Sequence, residues 1–199
     1  MKETGIIMSG DHPLKILDGT KTMTRRTYGL EKINKNPDEW VFVEYTYTQS
    51  GYRYIFNNHR TQDTASIKCP YGGIGDLLWV RKPHQFELDG EGEYLRTLYK
   101  ADGGDYSDWG TESNPFKWRP SIHMFRKDSR IERIITGLRP ERLQDITEAD
   151  ALAEGIEPFK YDLVHLDKLP VQKYQALWDS INGKKYPWAG NWWVWVVSF

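Results

Sequence analysis

Ile16-Leu17-Asp18-Gly19-Thr20-Lys21-Thr22-Met23-Thr24-Arg25-Arg26 is the stretch whose reading decides the fold. It opens on the end of a short helix. Asp11 is placed to cap that helix, Pro13 suits its first turn, and Gly19 suits its stop, so a helix is expected over Pro13 to Asp18 with Ile16 and Leu17 facing inward. Lys21 to Arg26 then reads as a strand. Alternation sets Thr22, Thr24 and Arg26 on one face and Met23 and Arg25 on the other. A glycine-ended helix running straight into a polar strand puts a lysine, a threonine and two arginines close together.

Working outward, Gly5 to Met8 reads as a first strand, and Trp40 to Thr48 with Tyr52 to Phe56 as a hairpin across Gln49-Ser50-Gly51. Gly75-Asp76 is a turn signal before the apolar strand Leu77 to Val80. Phe86 to Lys117 is rich in Gly, Asp, Glu and Tyr. It reads as a long inserted loop or hairpin with at most one short strand near Leu95 to Lys100. Ile131 to Leu138 reads as a strand, and Asp145 or Thr147 caps a helix that runs through Glu154 and stops at Gly155. Pro170 to Ile181 is a second amphipathic helix with Tyr174, Leu177, Trp178 and Ile181 on one stripe, and Trp192 to Phe199 is a buried closing strand. Strands dominate, and the helices sit at the start and near the end. This argues for an α+β architecture rather than alternating βαβ units.

Composition narrows the function classes. The 199 residues fit one large domain. A net charge of −1 gives no global field to attract a polyanion, so any nucleic-acid binding rests on a local patch. Cys69 is the only cysteine, which rules out an intrachain disulfide and a thiolate metal cluster and suits a cytoplasmic setting. Met1 to Met8 is too short and polar for a signal peptide, and no apolar run is long enough to span a bilayer. The five histidines lack zinc-ligand spacing. The acidic stretches Asp89 to Glu93 and Asp102 to Asp108 lack a calcium-loop pattern. Dinucleotide, P-loop and nucleophile-elbow motifs are absent. No metal and no cofactor are therefore expected.

Four segments in chain order carry a resemblance. Ile16 to Arg26 resembles the helix-Gly-x-Lys-Thr-x-Thr-x-Arg signature of the ASCH family. Gly75-Asp76-Leu77-Leu78-Trp79-Val80-Arg81 resembles its GD-hydrophobic-W strand, Ile146 to Gly155 its acidic helix, and Trp193 to Val197 its closing strand. The pattern is closest to the subgroup found in phages and prophages. The resemblance implies a PUA-like small mixed or antiparallel β-barrel with flanking helices. It implies a single domain over residues 1–199, with insertions at about 34–69 and 86–121. It also implies a polar cleft for RNA or a nucleoside-like ligand, with DNA as the alternative.

Some small ASCH members are hydrolases that remove an acyl group from the exocyclic amine of acetylated cytidine. They use a Lys, a Thr three residues later and a Glu on the later helix. Lys21, Thr24 and Glu154 match these by motif. A threonine hydroxyl needs a base to become nucleophilic, a lysine becomes that base when desolvated, and a carboxylate can shuttle the leaving amine's proton. Each residue also has an ordinary reading: a solvated lysine, a strand threonine and a surface glutamate.

Arg25 and Arg26 are candidate phosphate contacts beside that cleft, and Trp79 and Arg81, in the stretch that resembles the family's GD-hydrophobic-W strand, are further ligand-binding candidates. The stretch Trp118-Arg119-Pro120-Ser121-Ile122-His123-Met124 offers Trp118 and Arg119 for stacking on a base, with Ser121 and His123 as polar neighbours. Arg126, Lys127, Arg130, Arg133, Arg139 and Arg142 form a basic run that reads equally as a phosphate-binding face or as a solvated face balanced by Asp128, Glu132 and Glu141. Three functions stay open: a nucleic-acid or nucleobase-binding module, a metal-independent amidohydrolase or ribonuclease, and a phage accessory protein that contacts another protein through the 86–117 segment. The sequence leaves the oligomeric state undetermined.

Overall fold

The computed structural model describes residues 1–106, 109, 116–158 and 169–199. The part of the second insertion at 107–108 and 110–115 lies outside the described residues. The chain is α+β, and its described residues form eleven strands in four small sheets and three α-helices.

β1 (Glu3–Ile7) runs parallel to β6 (Leu77–Arg81), and β9 (Glu132–Ile134) pairs antiparallel on the other side of β6. A second sheet places β11 (Trp193–Ser198) between β10 (Gly137–Arg142) and β2 (Met23–Arg26). The third is the meander β3 (Trp40–Thr48), β4 (Gly51–Asn58) and β5 (Thr64–Ile67), which comprises most of the first expected insertion. β7 (His84–Leu88) and β8 (Tyr94–Tyr99) form a two-stranded ribbon. Among the described residues, no ladder joins these four sheets into a closed barrel.

β11 explains where the core sits. It is apolar at successive positions because it is buried on both faces. Trp193, Trp195 and Val197 face one cluster with Ile6, Met8, Ile16, Tyr54, Phe56 and Val80. Val194 and Val196 face a second cluster with Leu143, Ile146, Ala151, Tyr174 and Trp178. The meander is bound into the first cluster, with the Tyr54 ring 4.7 Å from Trp195 and Phe56 5.2 Å from Trp193. The 34–69 segment is thus part of the packed core rather than a loop laid over it.

The helices are brief. α1 (His12–Leu17) buries Pro13 and Ile16 but leaves Leu17 exposed, against the sequence expectation. One and a half turns present a single buried position beyond the proline, and Leu17 falls on the far side. α2 (Glu148–Ala153) starts at Thr147, whose hydroxyl accepts from the Asp150 amide at 3.1 Å, and ends at Gly155 with φ +86°. Such a cap contributes about 1 kcal/mol. α3 (Pro170–Asn182) buries Tyr174 and Trp178, while Ile181 is exposed.

Two further expectations change. The 86–117 segment carries a full hairpin, β7–β8, beginning at His84 rather than one short strand. The expected strand Ile131 to Leu138 is two strands in two sheets. Ile135 pairs its amide with the Asp76 carbonyl, and Thr136 pairs with the Ser198 carbonyl, so the chain crosses between sheets at that point.

Candidate functional site

Lys21 precedes β2 and forms an isolated antiparallel bridge with Glu154 at the end of α2. The main chain holds it there: the Lys21 amide donates to the Lys15 carbonyl, and the Thr22 amide donates to the Ala153 carbonyl. Lys21 is 1% exposed and Glu154 4%. Lys21 Nζ donates to Glu154 Oε2 at 2.6 Å and to the Glu154 carbonyl at 2.7 Å. Gly155 sits against this pair, and a Cβ there would lie 3.2 Å from Lys21 Cβ.

Arg25 shares the Lys21 face of the strand, as alternation requires. Its Nη2 donates to Glu141 Oε1 at 2.7 Å and Asp150 Oδ2 at 2.8 Å, and its Nη1 is 3.6 Å from Glu154 Oε1. Arg139 adds contacts to Glu141 and Asp150, and the Tyr174 hydroxyl donates to Glu154 Oε1 at 3.3 Å. Lys21, Arg25 and Arg139 therefore face Glu141, Asp150 and Glu154 in a charge-balanced network beneath α2 and α3. Burial lowers the pKa of Lys21, with Glu154 opposing it. Burial also works against the Arg25 charge, but the Glu141 hydrogen bond and the Glu154 charge overcome it and raise its pKa. Burial, then Glu154, pushes the Tyr174 hydroxyl well up. His12 is drawn down to about 4 by burial and by Lys21.

Thr24 lies on the opposite face of β2, buried, and its hydroxyl hydrogen-bonds neither Lys21 nor Glu154. The structure brings two of the three motif-matched groups together and turns the third away. Arg26 shares the Thr24 face, where its Nη2 donates to the Ile7 carbonyl at 2.8 Å.

Next to this network is a cleft of about 410 Å³ between β1, β2, the 70–71 turn and α3. Arg25, Arg26, Tyr28, Tyr71 and Trp178 are among its walls; Lys21, Thr24 and Glu154 are not. The Nε atoms of Arg25 and Arg26 are buried without a hydrogen-bond partner. Arg25 is thus both a cleft wall and a member of the ionic network behind it.

Trp79 and Arg81 continue the surface across β1. In the parallel register Gly5 faces Trp79 and Ile7 faces Arg81. The absence of a side chain at Gly5 makes room for them, since a Cβ there would lie 2.7 Å from Trp79 Cζ2 and 2.8 Å from Arg81 Cδ. The Arg81 guanidinium sits 5.5 Å from the Trp79 ring and donates to the Ile122 carbonyl.

The other sequence candidates lie beside the β7–β8 hairpin. Trp118 packs against Tyr106 at 5.3 Å and Phe116 at 5.1 Å. Arg119 bridges His84 through the main chain and stacks 4.9 Å over Phe86. Ser121 opens a short 3-10 turn that ends at the exposed His123. The basic run is largely consumed by structure. Arg126 pairs with Glu3 and Glu132, Arg130 with Asp102, Arg139 with Glu141 and Asp150, and Arg142 with Asp38. Arg133 donates to the Ile16 carbonyl. Only Lys127 of that run has no such partner among the described residues. The balanced reading of this face is the one the geometry favours.

Several groups escaped the sequence reading. Tyr28 and Tyr71 come from turns with no motif. Lys82 and His84 are fully buried, and Lys82 Nζ sits 3.9 Å from the Tyr99 ring centroid. Burial lowers the Lys82 pKa to about 8 and lowers that of His84. Their signal is the inward phase Leu78, Val80, Lys82, His84, which carries on past the apolar residues. Burial raises Cys69 to about 12, which keeps it a thiol. No group of metal-ligating side chains occurs among the described residues, and no described helix is long and apolar enough to cross a membrane.

Comparison with family models, with curated proteins and with solved structures gave no match.

Proposed function

We propose that this chain is a nucleic-acid-binding protein of the ASCH type on a PUA-like scaffold. In this reading the cleft beside Arg26 receives a nucleotide, and the surface over Gly5 to Trp79 and Arg81 carries the adjoining backbone. The observation that carries it is the cleft's chemistry. A space of about 410 Å³ falls in the range of small-ligand pockets, and its walls include the Arg26 guanidinium, which has no carboxylate partner among the described residues, together with tyrosine and tryptophan rings. Guanidiniums suit phosphate, and aromatic faces suit bases. The same pairing of groups is absent from the basic run, where Arg126, Arg130, Arg139 and Arg142 are already matched by carboxylates. The test is fluorescence anisotropy of a labelled RNA oligomer and competition by free nucleotides. Arg26→Ala and Tyr71→Ala are each expected to weaken binding about tenfold or more, and Tyr71→Ala also lowers the thermal midpoint because its ring packs on the core, so binding is measured well below that midpoint. Affinity that ignores both substitutions would remove the cleft from the function.

A second reading, a metal-independent amidohydrolase acting on an N4-acylated cytidine, is favoured by one observation: a fully buried lysine with its pKa lowered, held against a glutamate. Chemistry through Thr24 requires its hydroxyl to meet Lys21, across the strand from where it lies. Turnover that survives chelator and is lost in Thr24→Val supports this reading. Turnover retained in Thr24→Val dismisses the threonine, and no turnover at all leaves binding alone.

A further inference from the structure

The β3–β4 hairpin carries an aromatic face that runs out of the core. After the β-bulge between Phe42 and Glu44, Tyr45 sits opposite Tyr54 and Tyr47 opposite Tyr52. The four rings follow one another: Tyr54 to Tyr45 at 6.1 Å, Tyr45 to Tyr52 at 5.9 Å, Tyr52 to Tyr47 at 5.0 Å. Tyr54 ends the row inside the protein against Trp195. At the other end Tyr45 is 62% exposed and Tyr47 73%. Core packing explains Tyr54, and strand propensity alone does not call for two more rings on the same face in open solvent.

The outer part of this face has the companions that a polyanion needs. A second cavity, of about 250 Å³, lies beside it, with Tyr47, Tyr52, Lys2, Lys68 and Gly73 among its walls. Lys68 Nζ is held over the hairpin turn by the Ser50 carbonyl at 2.6 Å, and Lys2 Nζ by the Pro70 carbonyl at 3.1 Å. Each ammonium spends one donor on a main-chain oxygen and makes no close ion pair among the described residues, although the Asp76 carboxylate acts on Lys2 from a longer distance. Asp76 also lines this cavity, where its carboxylate accepts from the Lys2 and Gly73 amides. Tyr52 packs close to Gly73, where a Cβ would lie 2.8 Å from its Cδ2. The segment Lys68 to Gly73 then connects the two cavities, because Pro70 and Tyr71 wall the nucleotide cleft while Lys68, Gly72 and Gly73 wall this one.

We propose that the tyrosine row is a stacking platform for a single-stranded nucleic acid whose backbone follows Lys68 and Lys2 and whose end enters the Arg26 cleft. This deepens the nucleotide-binding reading and rests on it. The rings of the row meet one another edge-on or tilted rather than face to face, and exposed aromatic rings flanked by cations bind single strands with little sequence preference, because every base offers a π-face. The row also predicts that length matters, since Tyr45 and Tyr47 are not among the walls of the cleft and a mononucleotide held there leaves the row unused.

The experiment compares uridine monophosphate, oligouridine and oligothymidine of about 4 and about 12 nucleotides on wild type, Arg26→Ala and the double variant Tyr45→Ala/Tyr47→Ala. The expected result is tighter binding of the longer oligomers by wild type. The double variant is expected to lose about tenfold or more of that gain while binding the mononucleotide as wild type does, and Tyr45→Phe/Tyr47→Phe is expected to restore it. Both tyrosines are exposed, and an unchanged thermal midpoint certifies the fold. Wild-type oligomer affinity in the double variant, or no gain with length, overturns the platform even if the mononucleotide binds. Mononucleotide binding that is absent, together with indifference to Arg26→Ala, overturns the cleft reading instead, and with it the proposed polarity of the path.

Discussion

Glu154→Gln removes the negative charge that faces Lys21 while keeping the side chain's shape and its acceptor for the Tyr174 hydroxyl. At 2.6 Å and an effective dielectric of about 20, the attraction lost is about 6 kcal/mol before the desolvation it offsets. Lys21 keeps its bond to the Glu154 carbonyl but becomes an uncompensated ammonium with 1% exposure. Breaking one partner of such a pair costs about 3–5 kcal/mol. For a chain of this size that is about 6–20 °C in thermal midpoint. Lys21→Met leaves Glu154 partly answered by Arg25 at 3.6 Å and is expected to cost less. The decisive variant is the double substitution Lys21→Met/Glu154→Gln. It restores the balance of the network and is expected to recover to within about 1 kcal/mol of wild type. The pH dependence carries a sign. In Glu154→Gln the folded Lys21 loses its main opposing partner, so its pKa falls further below the unfolded value of about 10.5. The unfolded chain then holds the proton where the folded chain does not, and stability rises as pH rises toward that value. Urea unfolding near pH 6 and pH 9 should show the single variant's deficit shrinking. A double variant no more stable than Glu154→Gln, or a deficit that grows with pH, would refute the account of this pair.

His12 gives a second pH test. Its pKa of about 4, below the usual 6.5, means that its share of stability is present above pH 6.5 and lost as pH falls through 4. The full shift corresponds to about 3 kcal/mol, reduced to about 1–2 because the ring is partly exposed. His12→Gln should flatten the difference in urea midpoint over that window by that amount. Gly5→Ala places a methyl 2.7 Å from the Trp79 ring and 2.8 Å from Arg81 Cδ, which forces both to move. It should destabilise by about 1–3 kcal/mol in chemical unfolding and weaken oligonucleotide binding, whereas an unaffected affinity would detach Trp79 and Arg81 from the binding surface.

What the sequence carried in plain view was local. β11 was legible because a strand buried on both faces has no polar phase to confuse it. α2 was legible because Thr147 and Gly155 mark its ends with side-chain chemistry and a positive φ. The β7–β8 hairpin was hidden because its strands are half-exposed and polar, and its turn at Asp89 to Glu93 is held by Asp89 rather than by a two-residue glycine signal. The crossing at Ile135 and Thr136 was hidden because extended backbone continues through it, and alternation cannot say which sheet a strand joins. At the site, the meeting of Lys21 with Glu154 followed from the motif, but Arg25's partners lie 116 and 125 residues away. Nothing in local pattern specifies such contacts. The same applies to the basic run, whose charges looked available until Glu3, Asp38 and Asp102 arrived from elsewhere in the chain.

That pairing has a measurable consequence for how the protein meets a polyanion. A binding face built on the basic run would displace a counterion at each of five or six sites, and affinity would fall with a log–log salt slope of about −4 for a single strand. Carboxylates neutralise Arg126, Arg130, Arg139 and Arg142, and Arg133 is turned onto the Ile16 carbonyl. The cations left beside the two cavities and on the surface that joins them are Arg26, Lys2, Lys68 and Arg81, each held only by a main-chain oxygen or, for Arg26, also by the Met8 sulfur. Four phosphate contacts give a slope of about −3. With so shallow a slope, affinity at high salt must come from the rings, so Tyr45→Ala/Tyr47→Ala should lower affinity by the same factor across the salt series while Lys68→Ala makes the slope shallower by about 0.7. A slope near −4 that Lys68→Ala leaves untouched would move the binding face back to the Arg126 to Arg142 surface and away from the cleft.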